Sequence, residues 1–543
     1  MAALLEHGLP RTVLLGPRPN NKGGTTALTW PFPSGQEHIR EETMQVVAKN
    51  NIAVREPFVQ SALPSRVLAV AALLVCGGLI RPALADEPVV STGLMQLAQG
   101  SVTPGQLPNA VIAPPSLPPG QNPFALADSL RIRGWIIPVP TAAATIDQGL
   151  FGVRNKLAEN GFSYFGISAT TFQDNLLRHA LPAGNAFGKH SRDNQLYGGQ
   201  LPTYVTQNQF YALYDLQRYG IADGQLEFNV SSISTNWNPA GPDGLYLGAA
   251  SYYQTFLNKK VELKVGLLQN STEFLGAQVG GSLASGVFGP NAGIPVENGL
   301  NSSGFPTYGV NVRVNLPNNF YTKGTVQRAI SPDGSIAERL GNPTATNLKV
   351  SHAGVLVLDE VGYRIDPSPG QMQMWIRGAA SVTTSRQREL AHTVNREQPN
   401  YGLYLLADRQ LLQTAPNAGF GSARRGIYAG FTVEHAPSYF NTFSTYYEGR
   451  LYGFGLIPGR PNDLISLVAN HSNFSGAAVS TARGRGLLAH DDVSTYTASY
   501  GAAALPGVNV NVGVSYTDHP TAVIYTRSTG SALNILLNTI IFL

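Results

Sequence analysis

Apolar and polar side chains alternate along several segments of about ten residues. In YGVNVRVNL (308–316) the even-numbered residues are apolar or aromatic, and the odd-numbered ones include Asn311, Arg313 and Asn315. VELKVGL (261–267) sets four apolar residues, ending at Leu267, opposite Glu262 and Lys264. GIYAGFTVEH (426–435) sets Ile, Ala, Phe and Val opposite Tyr, Thr and Glu. A period of two predicts strands with one apolar and one polar face.

The end of the chain shows the same period. SALNILLNTIIFL (531–543) carries no charge, and its odd-numbered residues from Leu533 to Leu543 form a nearly continuous apolar face. The even-numbered face includes Asn534 and Asn538. We expect a final strand that closes a barrel, with the odd-numbered face toward lipid.

The predicted turns alternate between short and long. PNN (317–319) and DPSPG (366–370) are tight, whereas 234–244 and 380–400 are long and polar. This layout is typical of a transmembrane antiparallel β-barrel with short periplasmic turns and long extracellular loops. A soluble β-sandwich also alternates, but its outer face is normally charged, so the all-β transmembrane barrel is favoured.

Composition agrees with a barrel and excludes other classes. Charged residues make up 13% of the chain and hydrophobic residues 43%, against roughly a quarter charged in soluble proteins. A helical membrane protein would need apolar runs of about 20 residues, and disorder would go with high net charge and few aromatics. The sequence has no basic tract interleaved with aromatics, so no nucleic acid partner is expected.

A targeting segment precedes the strands. RVLAVAALLVCGGLIRPALADE (66–87) has the layout of a secretory signal peptide ending in Ala-Leu-Ala, and it contains the chain's sole cysteine, Cys76. A transmembrane anchor is the alternative, but the run is short and contains two glycines. We predict an upstream mis-called start or non-structural leader over 1–43, a signal peptide over 44–85 and an outer-membrane β-barrel over 126–543. Residues 86–125, rich in Pro, Gln and Ser, are interpreted as a periplasmic linker, with peptidoglycan contact or a plug as alternatives.

One short helix is predicted before the first strand. DQGLFGVRNKLAENG (147–161) places Leu150, Val153 and Leu157 at helical spacing.

Several stretches resemble the carbohydrate-selective porins of Gram-negative outer membranes, the OprB type. The most specific is YYEGRLYGFGLIPGRPNDLISLVANHSNFS (446–475), whose GLIPGRPND core resembles the family's tight turn between two late strands. The segments 152–166, 194–199, 252–276 and 514–525 resemble other parts of that family in order and spacing. The resemblance implies a monomeric barrel of about 16 strands, inserted by the barrel-assembly machinery into outer-membrane lipid.

A sugar channel needs hydrogen-bonding groups and aromatic faces that bind weakly. Arginine outnumbers lysine 22 to 7 after residue 85, which suits hydroxyl recognition by planar donors or simply reflects genomic composition. For any single charged residue the alternative is a solvated position with no selective role, and Trp237 lies either in the lumen or in an interfacial girdle. The pore-lining candidates are Glu262, Lys264, Arg313, Glu360, Arg364, Arg377, Glu434, Glu448 and Arg450, with the aromatics Trp237, Trp375 and Tyr447.

The function predicted from the sequence is passive diffusion of mono- or small oligosaccharides into the periplasm. The alternatives are a general, weakly anion-selective porin, or an adhesin or structural barrel whose long loops, such as 270–306, bind surfaces. The sequence has no GxSxG, HExxH or GxxxxGK[ST] motif, so no enzyme, cofactor or metal site is predicted.

Overall fold

The structure, a computed structural model, describes residues 122–543 except 137–138, 178–196, 237–243, 277–292, 303, 392–398, 419–420, 522, 526 and 528. Sixteen described strands form a closed antiparallel barrel in chain order, and the last strand pairs with the first. A two-stranded ladder, β14 with β17, lies outside the barrel sheet. The strands are β1 (Phe162–Asn175), β2 (Thr203–Asp215), β3 (Gln225–Thr235), β4 (Gly244–Phe256), β5 (Val261–Leu268), β6 (Thr307–Asn315), β7 (Phe320–Arg328), β8 (Val355–Ile365), β9 (Met374–Thr383), β10 (Asn400–Gln413), β11 (Gly426–His435), β12 (Phe443–Phe454), β13 (Leu464–Phe474), β14 (Leu488–Ala489), β15 (Asp492–Leu505), β16 (Val508–Thr517), β17 (Ile524–Tyr525) and β18 (Ala532–Phe542).

Burial in the barrel wall is the reverse of that in a soluble protein. Large apolar side chains such as Val310, Leu405 and Leu467 are exposed, whereas Asn311 and Glu360 are buried. Because strand residues alternate between two faces, the exposed apolar set covers the outside and the buried polar set fills the inside. The barrel therefore has an outer surface suited to lipid and a polar lumen.

The predicted strands are confirmed, with one local change. Residues 426–435 form β11 with the predicted bounds, and β6 covers 307–315 of the predicted 308–316. In β5, however, Leu267 is fully buried rather than exposed. Gly266 has φ 137° there, a backbone angle that interrupts the regular alternation. The predicted loop 380–400 is also shorter, because β9 continues to Thr383.

The turns alternate as the sequence indicated. Between β6 and β7 the chain reverses within residues 316–319, where Asn318 and Asn319 both adopt positive φ. Asparagine tolerates this conformation, which suits a hairpin to the twist of its strands. On the opposite rim the connections are long, including 269–306 between β5 and β6. The short turns mark the periplasmic rim.

Six short α-helices occur in the described residues: α1 (Ala125–Ser129), α2 (Val153–Glu159), α3 (Asn270–Phe274), α4 (Gly293–Glu297), α5 (Ser335–Gly341) and α6 (Gly476–Gly484). No helix in the described part of the chain is long and apolar enough to cross a membrane.

The predicted helix over 147–161 is realised as the shorter α2, and its buried residues are not all apolar. Leu150 and Val153 are exposed, whereas Arg154 and Ala158 are buried. Arg154 forms an ion pair with Asp147 (Nε to Oδ2 3.1 Å) and stacks on Tyr164. The arginine's partners, rather than apolar periodicity, set the orientation of the helix.

The segment before α2 lies against the inner wall near the periplasmic rim. Ile132 and Val139 pack with the inward side chains Phe165, Tyr211 and Phe542. Residues 1–121, with the predicted leader, signal peptide and most of the linker, lie outside the described residues, so those boundaries stay predictions. Within the predicted linker, residues 122–125 are described and lead into α1.

Candidate functional site: the lumen of the barrel

The long connection between β5 and β6 folds into the barrel. We call its described parts, residues 269–276 and 293–302, the inward loop. Phe274, Leu275 and Leu300 are fully buried and pack against inward side chains of β8 and β10, including Leu358 and Leu406. Because these contacts are apolar and buried, they hold the loop against the inner wall, where it occupies part of the lumen.

An ionic cluster fixes the first half of the inward loop. Glu273 of α3 lies 2.9 Å from Lys264 Nζ and 2.8 Å from Lys323 Nζ, and Asn311 Nδ2 donates to it at 2.8 Å. Lys264 also pairs with Glu227 at 2.8 Å. Burial alone would raise the pKa of Glu273, but the two ammonium groups lower it to about 2, so the carboxylate stays charged.

A second cluster surrounds Arg377 on β9. Its guanidinium carbon lies 3.7 Å from the centre of the Trp375 ring, and its Nε lies 3.8 Å from Glu360 Oε2. Its Nη2 donates to the carbonyl oxygen of Gly276 in the inward loop. Among the described residues, Nε and Nη1 have no hydrogen-bond acceptor. The arginine therefore holds the loop with one nitrogen and retains unused donors on two others.

Glu360 is held by two phenols. Tyr321 and Tyr404 donate their hydroxyls to its carboxylate oxygens at 2.8 and 2.5 Å. The Trp375 indole N–H in turn donates to the Tyr321 hydroxyl at 3.1 Å. This network fixes the Trp375 ring on which the Arg377 guanidinium stacks.

A third cluster centres on Arg450 of β12. The guanidinium pairs with Asp408 and Glu448, each at 2.8 Å. Tyr452 donates to Asp408 at 3.0 Å, and Tyr446 donates to Glu448 at 2.7 Å. The guanidinium of Arg450 is therefore occupied by ion pairs within the barrel wall.

The second half of the inward loop is anchored by Glu297. Its carboxylate accepts the backbone N–H groups of Thr442 at 3.0 Å and Phe443 at 3.3 Å. Burial raises the pKa of Glu297 to about 7, and the hydrogen bonds only partly oppose that rise. Nearby, Asn298 donates to the Ser381 hydroxyl of β9 at 2.6 Å.

The remaining wall of the lumen carries a different chemistry. The described inward positions of β13, β15, β16, β18 and β1 carry amides, hydroxyls and apolar groups, with no Asp, Glu, Lys or Arg among them. Thr497 donates to Ser515, and Asn511 donates to Asn538 across the strands. The lumen therefore has one wall of paired charges and one neutral hydrogen-bonding wall.

Comparison with known proteins agrees with this architecture. The family described as carbohydrate-selective porin, OprB family, matches residues 216–538, which is more than half of the chain. The chain belongs to the OprB family of carbohydrate-selective porins. With its closed barrel, this porin is an outer-membrane channel for carbohydrates.

A solved structure shares this fold. The high-pH structure of Pseudomonas putida OprB is 14% identical, with a TM-score of 0.58, over 74% of this porin and 98% of that chain. The low-pH structure of the same protein gives 12% and 0.45 over the same shares, and a mutant porin of Rh. blastica gives 8% and 0.37 over 70% and 100%. No curated protein matches the porin.

The structure brings most of the predicted site residues inward. Lys264, Glu360, Arg377, Trp375, Glu434, Glu448 and Arg450 are buried on the inner face. Glu262 and Arg313 are half-buried toward the periplasmic rim, with Oε1 and Nε 3.7 Å apart. Arg364, near the same rim, pairs with Asp366 at 2.9 Å and lies over Trp375 at 5.0 Å.

One aromatic prediction is wrong. Tyr447 is 47% exposed on the outer surface, because it alternates with the inward residues Tyr446 and Glu448. That parity was visible in the sequence, where Glu448 and Arg450 mark the polar face. Trp237 lies outside the described residues.

The sequence analysis also missed several charged residues of the lumen. Glu227, Lys323 and Asp408 sit at the polar positions of alternating strands, so a systematic reading of period two would have found them. Glu273 lies in the inward loop, where no strand period applies.

Proposed function

We propose that this porin passes mono- and small oligosaccharides by passive diffusion, and that sugars are recognised where the inward loop meets Arg377. The observation that supports this most directly is that Nε and Nη1 of Arg377, on the inner face of the barrel, have no acceptor among the described residues. A guanidinium that is already stacked and fixed loses little entropy when it binds a hydroxyl. Binding through one or two such bonds is weak enough for the sugar to leave again.

The neutral wall supports a neutral solute. Among the described residues, Asn470 Nδ2 and Asn534 Oδ1 are buried without a protein partner. A sugar hydroxyl both donates and accepts, so it can satisfy either kind of group. A single ion could not satisfy both.

Current block by sugar in planar bilayers tests this proposal. We expect Arg377→Gln to weaken block by maltose roughly tenfold, which corresponds to about 1.4 kcal/mol, because charge-assisted donors are lost. Tyr447→Ala, an aromatic change on the outer surface, should leave the block unchanged. Equal block by the wild type and Arg377→Gln would contradict this assignment.

A general, weakly anion-selective porin is the second candidate, supported by Arg313 and Arg377. Each lies near a glutamate, at 3.7 and 3.8 Å, which weakens the positive field that each contributes. Reversal potentials under a salt gradient distinguish the two functions. Strong anion preference without sugar block would favour the general porin.

A further inference from the structure

The segment before α2 reaches into the periplasmic mouth of the barrel. We call its described parts, residues 130–136 and 139–146, the mouth strap. The match to the carbohydrate-selective porin family begins at residue 216, so the mouth strap lies outside it. At its second end the strap is joined to β18, where the Ile146 N–H donates to the carbonyl oxygen of Phe542 at 2.8 Å.

Polar contacts fix the first end of the mouth strap to β2 and β3. The side-chain amide of Gln225 donates to the carbonyl oxygens of Leu130 and Arg131, each at 3.1 Å. Its oxygen accepts the backbone N–H of Arg133 at 2.9 Å. The Arg133 Nη1 atom lies 3.2 Å from Asp215 Oδ1. Because Gln225 and Asp215 are both buried, breaking these contacts would leave polar groups unpaired, so the strap is firmly attached here.

The strap then passes close to β4 and β5. A β-carbon on Gly134 would lie 3.2 Å from Tyr253 Cδ2 and 3.5 Å from Lys264 Cδ. Gly134 also has φ 82°, a backbone angle that glycine adopts without strain. The backbone of the strap therefore lies directly against inward side chains of these two strands.

Two adjacent residues of the strap contact opposite walls of the barrel. Trp135 packs on the apolar cluster that contains Tyr211 of β2 and Phe542 of β18, and its ring centre lies 5.2 Å from that of Tyr211. The carbonyl oxygen of Ile136 accepts a hydrogen bond from Arg364 Nη1 of β8 at 3.4 Å. In the ring of sixteen strands, β8 and β18 stand eight places apart and are directly opposite. The mouth strap and Arg364 together therefore bridge the lumen.

The bridge is large relative to the opening. Sixteen strands about 4.8 Å apart, tilted by about 40°, form a barrel roughly 32 Å across between backbones. A polypeptide with its side chains is about 10 Å thick, and the side chains of the wall also point inward. The strap therefore takes up a substantial part of the width at the periplasmic mouth.

We propose that the mouth strap and Arg364 form a second constriction of this porin, at its periplasmic exit, where Trp135 and Arg364 set the largest solute that leaves. The inward loop is attached at the extracellular rim and the strap at the periplasmic rim, so a solute meets them in series. Trp135 is half-buried, which leaves part of its ring open to that solute. The second constriction requires only that the barrel conducts, and it is independent of the sugar site proposed at Arg377.

Exclusion of polyethylene glycols from each side of a planar bilayer tests the proposal, because a polymer lowers the conductance only if it enters the mouth that it faces. In a bilayer with channels of one orientation, Trp135→Ala and Arg364→Ala should each admit larger polymers from the periplasmic side. Both should raise single-channel conductance by roughly half, because the narrow part of the exit widens. The size limit on the extracellular side should stay at the wild-type value.

Arg409→Ala is the matched control, since it removes an exposed arginine from the outer face of β10 near the same rim. It should equal the wild type on both sides. An unchanged periplasmic size limit in both strap variants, or an equal shift on the two sides, would overturn the proposal.

A combined variant separates the two constrictions. Heat-modifiable gel mobility first verifies that each barrel is folded. Arg364→Ala with Asn311→Ala, which loosens the inward loop, should conduct more than either single variant, because two resistances in series are both reduced. A double variant that conducts no better than Asn311→Ala alone would reject the strap as a constriction.

Discussion

Adjacent residues on one strand meet opposite environments in this porin. Val312 faces the lipid, whereas Asn311 is 2% exposed and donates to both Asn270 and Glu273 of the inward loop. The side-chain period of two places them on opposite sides of a wall one residue thick. A substitution therefore acts through the medium its side chain enters, not through its position along the strand.

This contrast predicts two different defects. Val312→Arg should destabilise the folded barrel by roughly 2–4 kcal/mol, because it places a charge near the bilayer midplane. Asn311→Ala should leave the barrel folded but loosen the inward loop. Folding titrations into liposomes measure the first effect, and single-channel conductance measures the second. Equal losses of folding stability would show that the faces of β6 are wrongly assigned.

At the scale of elements, the inward loop is held at both ends by carboxylates of different character. Glu273 is ionised between Lys264 and Lys323, whereas Glu297 is half-buried and accepts backbone N–H groups, with no cation beside it among the described residues. The first anchor is insensitive to pH near neutrality. The second is not, because burial raises the pKa of Glu297 to about 7.

Docking of α4 should therefore weaken as pH rises. Below about pH 4.5, the ordinary pKa, the carboxyl is protonated whether α4 is docked or released, so docking is strongest there. Between pH 4.5 and 7 release is accompanied by loss of the proton, and above pH 7 about 3 kcal/mol of docking stability has been lost. Single-channel recordings should show larger fluctuations of the open-channel current at pH 8 than at pH 5.

Glu297→Gln should remove this pH dependence, because the amide does not titrate. Asp491→Asn, which alters an exposed extracellular carboxylate paired with Arg483, should keep the wild-type response. A Glu297→Gln channel that still becomes noisier with pH would show that another group is responsible.

The elements that the sequence predicted are those governed by local rules. The strand 426–435 follows from its alternation, and the turn 317–319 follows from the tolerance of asparagine for positive φ. The inward loop follows no such rule. Glu273 and Lys323 are 50 residues apart in the chain, and they meet only in the folded barrel. Their ion pair therefore cannot be read from a local pattern. Only the structure shows that the inward loop lies inside the lumen rather than on the cell surface.

At the scale of the whole molecule, the lumen combines compensated charge with neutral hydrogen-bonding groups. Lys264, Lys323, Arg377 and Arg450 each lie within 3.8 Å of a carboxylate, so long-range fields in the pore are weak. The opposite wall offers amides and hydroxyls. This arrangement suits uncharged, hydroxyl-rich solutes, and we expect the inward loop to limit their size.

Liposome swelling across a sugar series tests that central claim most directly. With the wild type we expect rapid swelling in glucose, slower swelling in maltose and little in maltotriose. Asn311→Ala should flatten this size dependence, because the loop that narrows the lumen is less firmly held. Folded porin that gives no swelling in glucose, while still conducting salt in planar bilayers, would contradict the account.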